Sequence, residues 1–307
     1  MKILVVGSMN MDFRINVLHL VNKGETELSD KLDLIPGGKG ANQAFAAGRL
    51  GIQTIMLGAR GDDTYGKVLE ESLNSAGVET GRLAVRSGIS TGIAIVEVDK
   101  TGNNSIIVIP GANATVDSTY IDKNTDILRQ CDIVLLQMEI PPETVLHTAK
   151  LAKKLGKTVI LDPAPVPPVM PENIYSYVDY IKPNETELQM LTGEKDLEKG
   201  MHKLISSGVK CVIVTTGKNG ALVLERGSST VMEYPAPDVP VVDTTAAGDS
   251  FSAAFSVALS EGKNVGEAVK FANIVGAVVV SRKGAQTSIP DRKYVKEFVK
   301  TLNAEFL

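Results

Sequence analysis

Val242-Asp-Thr-Thr-Ala-Ala-Gly-Asp-Ser-Phe251 is the segment on which the reading of the fold turns. An extended run, Pro240–Asp243, enters a turn of small residues, Thr244–Gly248, and leaves through Asp249 into Ser250–Leu259, an apolar run of helical character. Small side chains leave the backbone N–H groups of the turn bare, and the first N–H groups of a helix lack intrahelical partners. Such a turn is a cradle for a phosphate or for developing phosphoryl charge. Asp249 beside a bound anion would serve as a base that takes a proton from an attacking hydroxyl. It also reads as a plain helix cap after a tight glycine turn, and on this segment alone the cap is the simpler account.

Upstream, strand and helix alternate. Strands are expected at Met1–Val6, Gln53–Leu57, Ile133–Met138, Thr158–Leu161, Tyr180–Ile181 and Cys211–Thr215. Helices are expected at Tyr65–Ala76, from Pro141 to about Leu155, and at Glu185–Leu191 and Leu197–Ser207. Further helices are expected at Asp249–Glu261, Val265–Val280 and Arg292–Leu302. Such alternation specifies a mainly parallel sheet between helical layers, an α/β three-layer sandwich spanning 1–307 as one domain. Two hairpins interrupt it, Thr91–Val98 with Ser105–Ile109 around Asp99–Asn104, and Ala221–Glu225 with Thr230–Tyr234. The first hairpin and the irregular segment Phe13–Leu34 do not fit a parallel core. They are assigned together to a small β-sheet lid, from about 13–35 and 89–110.

Ile35-Pro-Gly-Gly-Lys-Gly-Ala-Asn42 is a glycine-rich turn that opens a helix to about Leu50, rich in alanine and built for close packing. The net charge of −4 comes without a basic block, which argues against nucleic acid or an anionic membrane surface as a partner. The apolar start at Met1–Val6 is a first strand rather than a signal, and no run has the length of a membrane span. Cys131 and Cys211 lie in or beside strand-like runs without metal-type spacing and read as buried thiols of a reducing cytoplasm. His19, His147 and His202 are scattered and read as structural. The first strand is not followed by GxGxxG, and neither GxxxxGK[ST] nor GxSxG occurs.

Ligands of open parallel sheets gather beyond the carboxyl ends of the strands. Asn10 and Asp12, Glu139, Asn184 and Glu187, Thr216-Gly217, and Asp249 after Val241-Val242 all follow expected strands and would face one edge. Singly each has a plain structural reading: Asn10 as a turn residue, Glu139 as a solvated cap, Asn184 with Glu187 as a capping box. Together they offer the hydrogen-bonding groups that a polyhydroxylated ligand requires. Lys39, set among glycines, would supply charge or simply be solvated.

Gly37-Gly-Lys-Gly-Ala-Asn-Gln-Ala44 after Asn10-x-Asp12, and Asp243-Thr-Thr-Ala-Ala-Gly-Asp249 with Arg282-Lys-Gly-Ala-Gln286 downstream, carry a resemblance. Over essentially its full length the chain resembles the ribokinase family of sugar kinases. The resemblance implies that Asp249 deprotonates the primary hydroxyl of a sugar for in-line attack on the γ-phosphate of ATP, with Ala246, Ala247 and Gly248 as anion hole. It implies sugar contacts from Asn10, Asp12, Gly38, Lys39, Asn42, Glu139 and Asp249. For ATP it points to Asn184 and Glu187 near the phosphates and Mg²⁺, then Thr216, Gly217, Lys218, Asn219, Gly220 and Gly248, with Asn273 beside the adenine. An activating K⁺ would lie among Asp243, Thr245, Val279, Arg282, Gly284 and Ser288, mostly through carbonyls. The wider family usually reads DTxGAGD here, and this chain has Ala246 at the first glycine. The implied reaction converts D-ribose and ATP to ribose 5-phosphate and ADP in the cytoplasm, by a homodimer whose lids clasp. The alternatives are a kinase for 2-deoxyribose or another sugar such as fructose, and a catalytically silent sugar-binding protein on the same fold.

Overall fold

The computed structural model describes residues 1–101 and 103–302. Among them, nine strands form one sheet. From one edge the order is Met232–Tyr234, Ala221–Glu225, Cys211–Thr215, Tyr180–Ile181, Thr158–Leu161, Ile133–Leu136, Lys2–Val6, Gln53–Leu57 and Val78–Glu79. All pairs are parallel from Cys211–Thr215 to Val78–Glu79, and the two strands beyond Cys211–Thr215 are antiparallel.

Because a parallel sheet is covered on both faces, its strands are apolar throughout and neighbouring residues feed opposite layers. Ile3 and Val5 join the core with the alanine-rich helix Lys39–Arg49 and the helices Ala247–Ser260 and Val265–Val280. Leu4 and Val6 join the other core, with Ile121, Val145, Ala149, Leu188 and Met201. The sandwich therefore has three layers. Lys39–Arg49 carries Ala41, Ala44, Ala46 and Ala47 fully buried, which lets it lie close to Ala247–Ser260. Its opening needs glycine: a Cβ on Gly38, at φ +87°, would stand 2.6 Å from Asn10 N, and one on Gly40 would stand 2.6 Å from Ser8 N.

The chain fills one side of Lys2–Val6 first and then crosses to Ile133–Leu136 on the other. Gly7–Asn10 and Gln137–Glu139 thus leave neighbouring strands at the point where the order reverses, which is where open sheets bind ligands.

A second sheet has the order Leu32–Gly37, Asn10–Asn16, Gly92–Val98, Asn104–Ile109. It takes strands from both segments expected to form a small sheet apart from the parallel core, with one difference: the strand Asn10–Asn16 begins at Asn10, not after Asp12. Asn10 is therefore no turn residue, and Asn10, Asp12 and Arg14 share one face by strand alternation. Phe13 points the other way and meets Tyr65 edge-on at 5.4 Å. The turn of the Asp99–Asn104 hairpin contains Gly102, which lies outside the described residues, as do 303–307.

Most expected elements differ from the observed ones only at their ends. Helix Thr64–Ser75 starts one residue early because Asp63 caps it through Gly66 N, and Arg292–Val299 ends before Leu302. The short parallel pair Ala59–Gly61 with Ala84–Arg86, the helices Ser118–Lys123 and Thr125–Gln130 and the turn Gly111–Thr115 carried too little periodicity to be read. Pro240–Asp243 does not join the sheet. Val242 N and Asp243 N both donate to Val280 O, so this run is pinned to the end of the Val265–Val280 helix. No helix of the described residues is long and apolar enough to cross a membrane.

Candidate active site

The helix after the opening motif begins at Ala247, and its cap position is Ala246, in the left-handed region at φ +62°. Asp249 therefore lies inside the first turn, and the plain cap reading is overturned: no side chain caps this helix. The Asp249 carboxylate, 7% exposed, instead accepts from Asn42 Nδ2 at 3.0 Å and from Gln43 Nε2 at 3.3 Å. Of the three residues expected to form an anion hole, Ala246, Ala247 and Gly248, one has its backbone N–H bonded within the turn. Ala247 N–H donates to Thr244 O, whereas the N–H groups of Ala246, Gly248 and Asp249 find no acceptor among the described residues. These are the groups able to meet an anion.

On one side of Asp249 lies a cluster of polar side chains. Glu139 is not a solvated cap before the prolines, because its Oε2 accepts from Ser8 Oγ and, at 2.9 Å, from Lys39 N at the start of the alanine-rich helix. Asn10 Oδ1 accepts from Asn113 Nδ2 at 2.8 Å, and Asn113 also holds Met9 through both its amide atoms. Asp12 presses on Gly37, where a Cβ would meet its carboxylate at 2.2 Å. Burial, then the nearby carboxylates of Glu139 and Asp249, push the Asp12 pKa up to about 7. Burial works against the Lys39 ammonium, yet the charges of Asp249, Asp162 and Glu139 outweigh it and hold the proton more tightly than usual. Gly38, beside Lys39 in sequence, lets its segment pack against the backbone of Met9 and Asn10.

On the other side opens a cavity of ≈ 530 Å³. Lys39 and Asp249 line it, so the polar cluster and the cavity meet at those two residues. Asn184, Glu187, Gly217, Lys218, Gly220, Ala246, Ala247, Gly248 and Asn273 line it as well. Thr216 and Asn219 do not; they close the turn, Thr216 N donating to Gly220 O and Asn219 N to Thr216 O. Asn184 and Glu187 do form the capping box, each side chain accepting the other's N–H at 2.8 Å, and also face the cavity. The box uses one oxygen of Glu187, and the other is free to take a hydrated divalent ion, which suits a metal held mainly by water and phosphate. Asn273 spends its amide nitrogen on Tyr234 O and Pro235 O, so it shapes the wall of the cavity.

Of the residues expected around a monovalent cation, Asp243 bonds both Thr245 and Gly284. Asp243 Oδ1 accepts from Thr245 N and Oγ1, and Oδ2 accepts from Gly284 N at 3.1 Å and Arg14 Nη1 at 3.2 Å. Burial raises this carboxyl's pKa, but the bonds from Thr245, Gly284 and Arg14 bring it below the ordinary value. Its four lone-pair directions are taken and its charge is balanced, so the carboxylate does not fit as a cation ligand. Arg282 lies over the Tyr294 ring at 5.1 Å, and Ser288 Oγ donates to Ala285 O. Val279 O accepts from Arg282 N within the same bend.

Sequence reasoning passed over the layer beneath. Gln43 joins Asp249 to Asp162 at 2.9 Å and accepts from Gln137, while Lys182 and Ser252 also reach Asp162 Oδ2. Asp162 and Lys182 follow Thr158–Leu161 and Tyr180–Ile181, so the strand-end criterion would have found both. Asn113 and Arg14 gave no such signal. The cysteines are buried and free as expected; burial lifts the Cys131 thiol to about 11 and raises that of Cys211 as well. The three histidines sit in surface contacts with Glu25, Asp122 and Glu198.

A site that joins a cluster of polar side chains to a cavity of ≈ 530 Å³ through one buried carboxylate has the layout of a group-transfer enzyme. Residues 1–292 match the model of the pfkB family of carbohydrate kinases, and the chain belongs to that family. Ribokinase from Haemophilus influenzae is 36% identical over 300 residues, 96% of this chain and 97% of its own length. Among solved structures, ribokinase from Thermotoga maritima has a TM-score of 0.88 at 43% identity, covering 97% of this chain and 99% of that one. Arabidopsis thaliana ribokinase complexed with ribose and ATP has 0.91 at 37% identity, covering 97% and 98%. The chain is a kinase that transfers a phosphoryl group to an alcohol acceptor.

Proposed function

We propose that this chain phosphorylates the 5-hydroxyl of D-ribose with ATP, giving ribose 5-phosphate and ADP. The observation that carries the reading is the placement of Asp249. It is buried and freed from capping, oriented by Asn42 and Gln43, and is shared by the polar cluster and the cavity. The similarity to ribokinases supports ribose as the acceptor.

Asn10, Asp12, Lys39, Asn42 and Glu139 bind the sugar hydroxyls and aim the primary one at Asp249. Asp249 takes the hydroxyl proton as the oxygen attacks, and the free N–H groups of the turn stabilise the charge on the phosphoryl oxygens. Glu187 and Asn184 would hold a hydrated Mg²⁺, which would supply neutralisation of phosphate charge. Carbonyls of the 279–288 bend would hold a K⁺ ion, because the Asp243 carboxylate is bonded to Thr245, Gly284 and Arg14. The second sheet serves as lid, and two copies of the chain pair through its edge strand Asn104–Ile109, where Ile106 to Ile109 are all exposed.

The test is ADP release with Mg²⁺-ATP, comparing D-ribose with 2-deoxyribose and fructose, alongside Asp249→Asn. Ribose preference is expected, and Asp249→Asn should keep ribose binding while turnover falls by roughly 10²–10⁴. Preference for another sugar overturns the substrate, near-normal turnover of the variant overturns the base, and silence with all three sugars favours a binding protein.

A further inference from the structure

Asp162 and Lys182 form a buried ion pair directly beneath the transfer site. They follow adjacent parallel strands in register, Leu161 beside Ile181, so the fold sets the two side chains next to each other. They are 1% and 5% exposed, and Lys182 Nζ stands 3.1 Å from Asp162 Oδ2. A buried ion pair gives little net stability, because the loss of hydration offsets the attraction. Burying this one is poorly explained by structure alone.

Its bonding is incomplete on both sides. The ammonium has three protons to donate, and the chain offers two acceptors, Asp162 Oδ2 and Gly248 O at 3.4 Å. Asp162 Oδ1 is buried without a partner among the described residues. Lys182 lines the cavity beside Asn184, Glu187 and Gly248, and a Cβ on Gly248 would stand 3.3 Å from its Nζ. The ammonium therefore sits against the anion turn. Lys39 approaches the same place from the sugar side, so two lysines flank the turn and Asp249.

We propose that Lys182, oriented by Asp162, is a catalytic cation that hydrogen-bonds a non-bridging oxygen of the phosphoryl group in transit. The inference rests on the reading of the chain as a ribose kinase. In the step it serves, a bond forms between the sugar oxygen and the γ-phosphorus. The bond from that phosphorus to the β,γ-bridging oxygen breaks, and its electron pair leaves with ADP. The hydroxyl proton goes to Asp249, and Lys182 keeps its own protons. Gln43, which bonds both Asp162 and Asp249, ties the cation's support to the base.

The experiment compares wild type with Lys182→Gln in turnover, in ribose binding and in the binding of ADP alone and of ADP with aluminium fluoride, a mimic of the transferring group. A loss of about 10²–10³ in kcat is expected, as for removal of one preorganised donor. Ribose and ADP affinities should stay unchanged while the aluminium fluoride complex weakens. Normal turnover, or an equal loss for ADP and its aluminium fluoride complex, overturns the proposal. If leaving Asp162 unpaired prevents folding, the double variant Asp162→Asn/Lys182→Gln removes both charges, and the same pattern is expected of it. Failure of wild type to turn over ribose would refute the ribose reading, while the aluminium fluoride comparison would still report on Lys182.

Discussion

On the proposed reading, Asp12 couples sugar binding to pH through a single side chain. Its pKa in the folded chain, about 7, lies above the ordinary 3.8, so the folded state holds the proton more tightly than the unfolded one. The stabilisation from that proton is complete below about 4 and is lost as pH rises towards 7. Hydroxyl groups donating to the carboxylate favour its charged form, so ribose binding should expel a proton and tighten as pH rises from 5 to 7. Calorimetry in buffers of different ionisation heat checks this; affinity that is flat with pH and no proton release would show that ribose does not contact Asp12. Asp162 behaves alike, raised to about 6 by burial against the pull of Lys182 and Lys39. Asn42→Ala, which removes one of the two donors to Asp249, should lower kcat more than it lowers the melting temperature.

At the scale of elements, two helix starts are shaped by backbone rather than by side-chain caps. The left-handed conformation at Ala246 costs a non-glycine residue about 1–2 kcal/mol, and glycine there adds about 0.4–1 kcal/mol of unfolded-state entropy. Ala246→Gly should therefore leave the melting temperature unchanged or raise it. A clear fall would show that the Ala246 methyl contributes packing. Gly38 has the opposite constraint: φ is +87° and Asn10 N would lie 2.6 Å from a new Cβ. Gly38→Ala should destabilise by at least about 1–2 kcal/mol and raise KM for ribose, because the strand carrying Asn10 must move away. Thermal unfolding and steady-state kinetics read the two effects separately.

For the whole molecule, the proposed reading gives the second sheet a role on both sides. Its strand Asn10–Asn16 carries Asn10 and Asp12 on one face, and Arg14 ties the same strand to the 244–248 turn through Asp243. Its edge strand Asn104–Ile109 presents four consecutive exposed aliphatic residues, a surface that would expose an unpaired sheet edge in a monomer. Ile107→Glu should convert a dimer to a monomer in light scattering and weaken ribose affinity. A wild-type monomer at micromolar concentration would refute pairing through this strand.

Much of this was legible in the chain itself. Apolar runs of strand length alternating with amphipathic helices specified the parallel sandwich, because burial on both faces leaves a parallel strand no polar positions. The glycines at 37, 38 and 40 marked the turn where two segments of backbone pack closely, since that proximity excludes a Cβ, and the small residues at 244–248 marked the turn that opens the helix Ala247–Ser260. The strand-end position of Asn10, Asp12, Glu139, Asn184 and Glu187 followed from the same alternation. Tertiary structure alone decided what those side chains bond to. Glu139 on Lys39 N, Asn113 on Asn10, Gln43 between two aspartates and Arg14 on Asp243 are contacts across roughly a hundred residues or more, and local pattern carries no record of them. It also decided that Asp249 is a free carboxylate rather than a cap, because the helix start depends on the conformation of Ala246, which only the packed turn imposes.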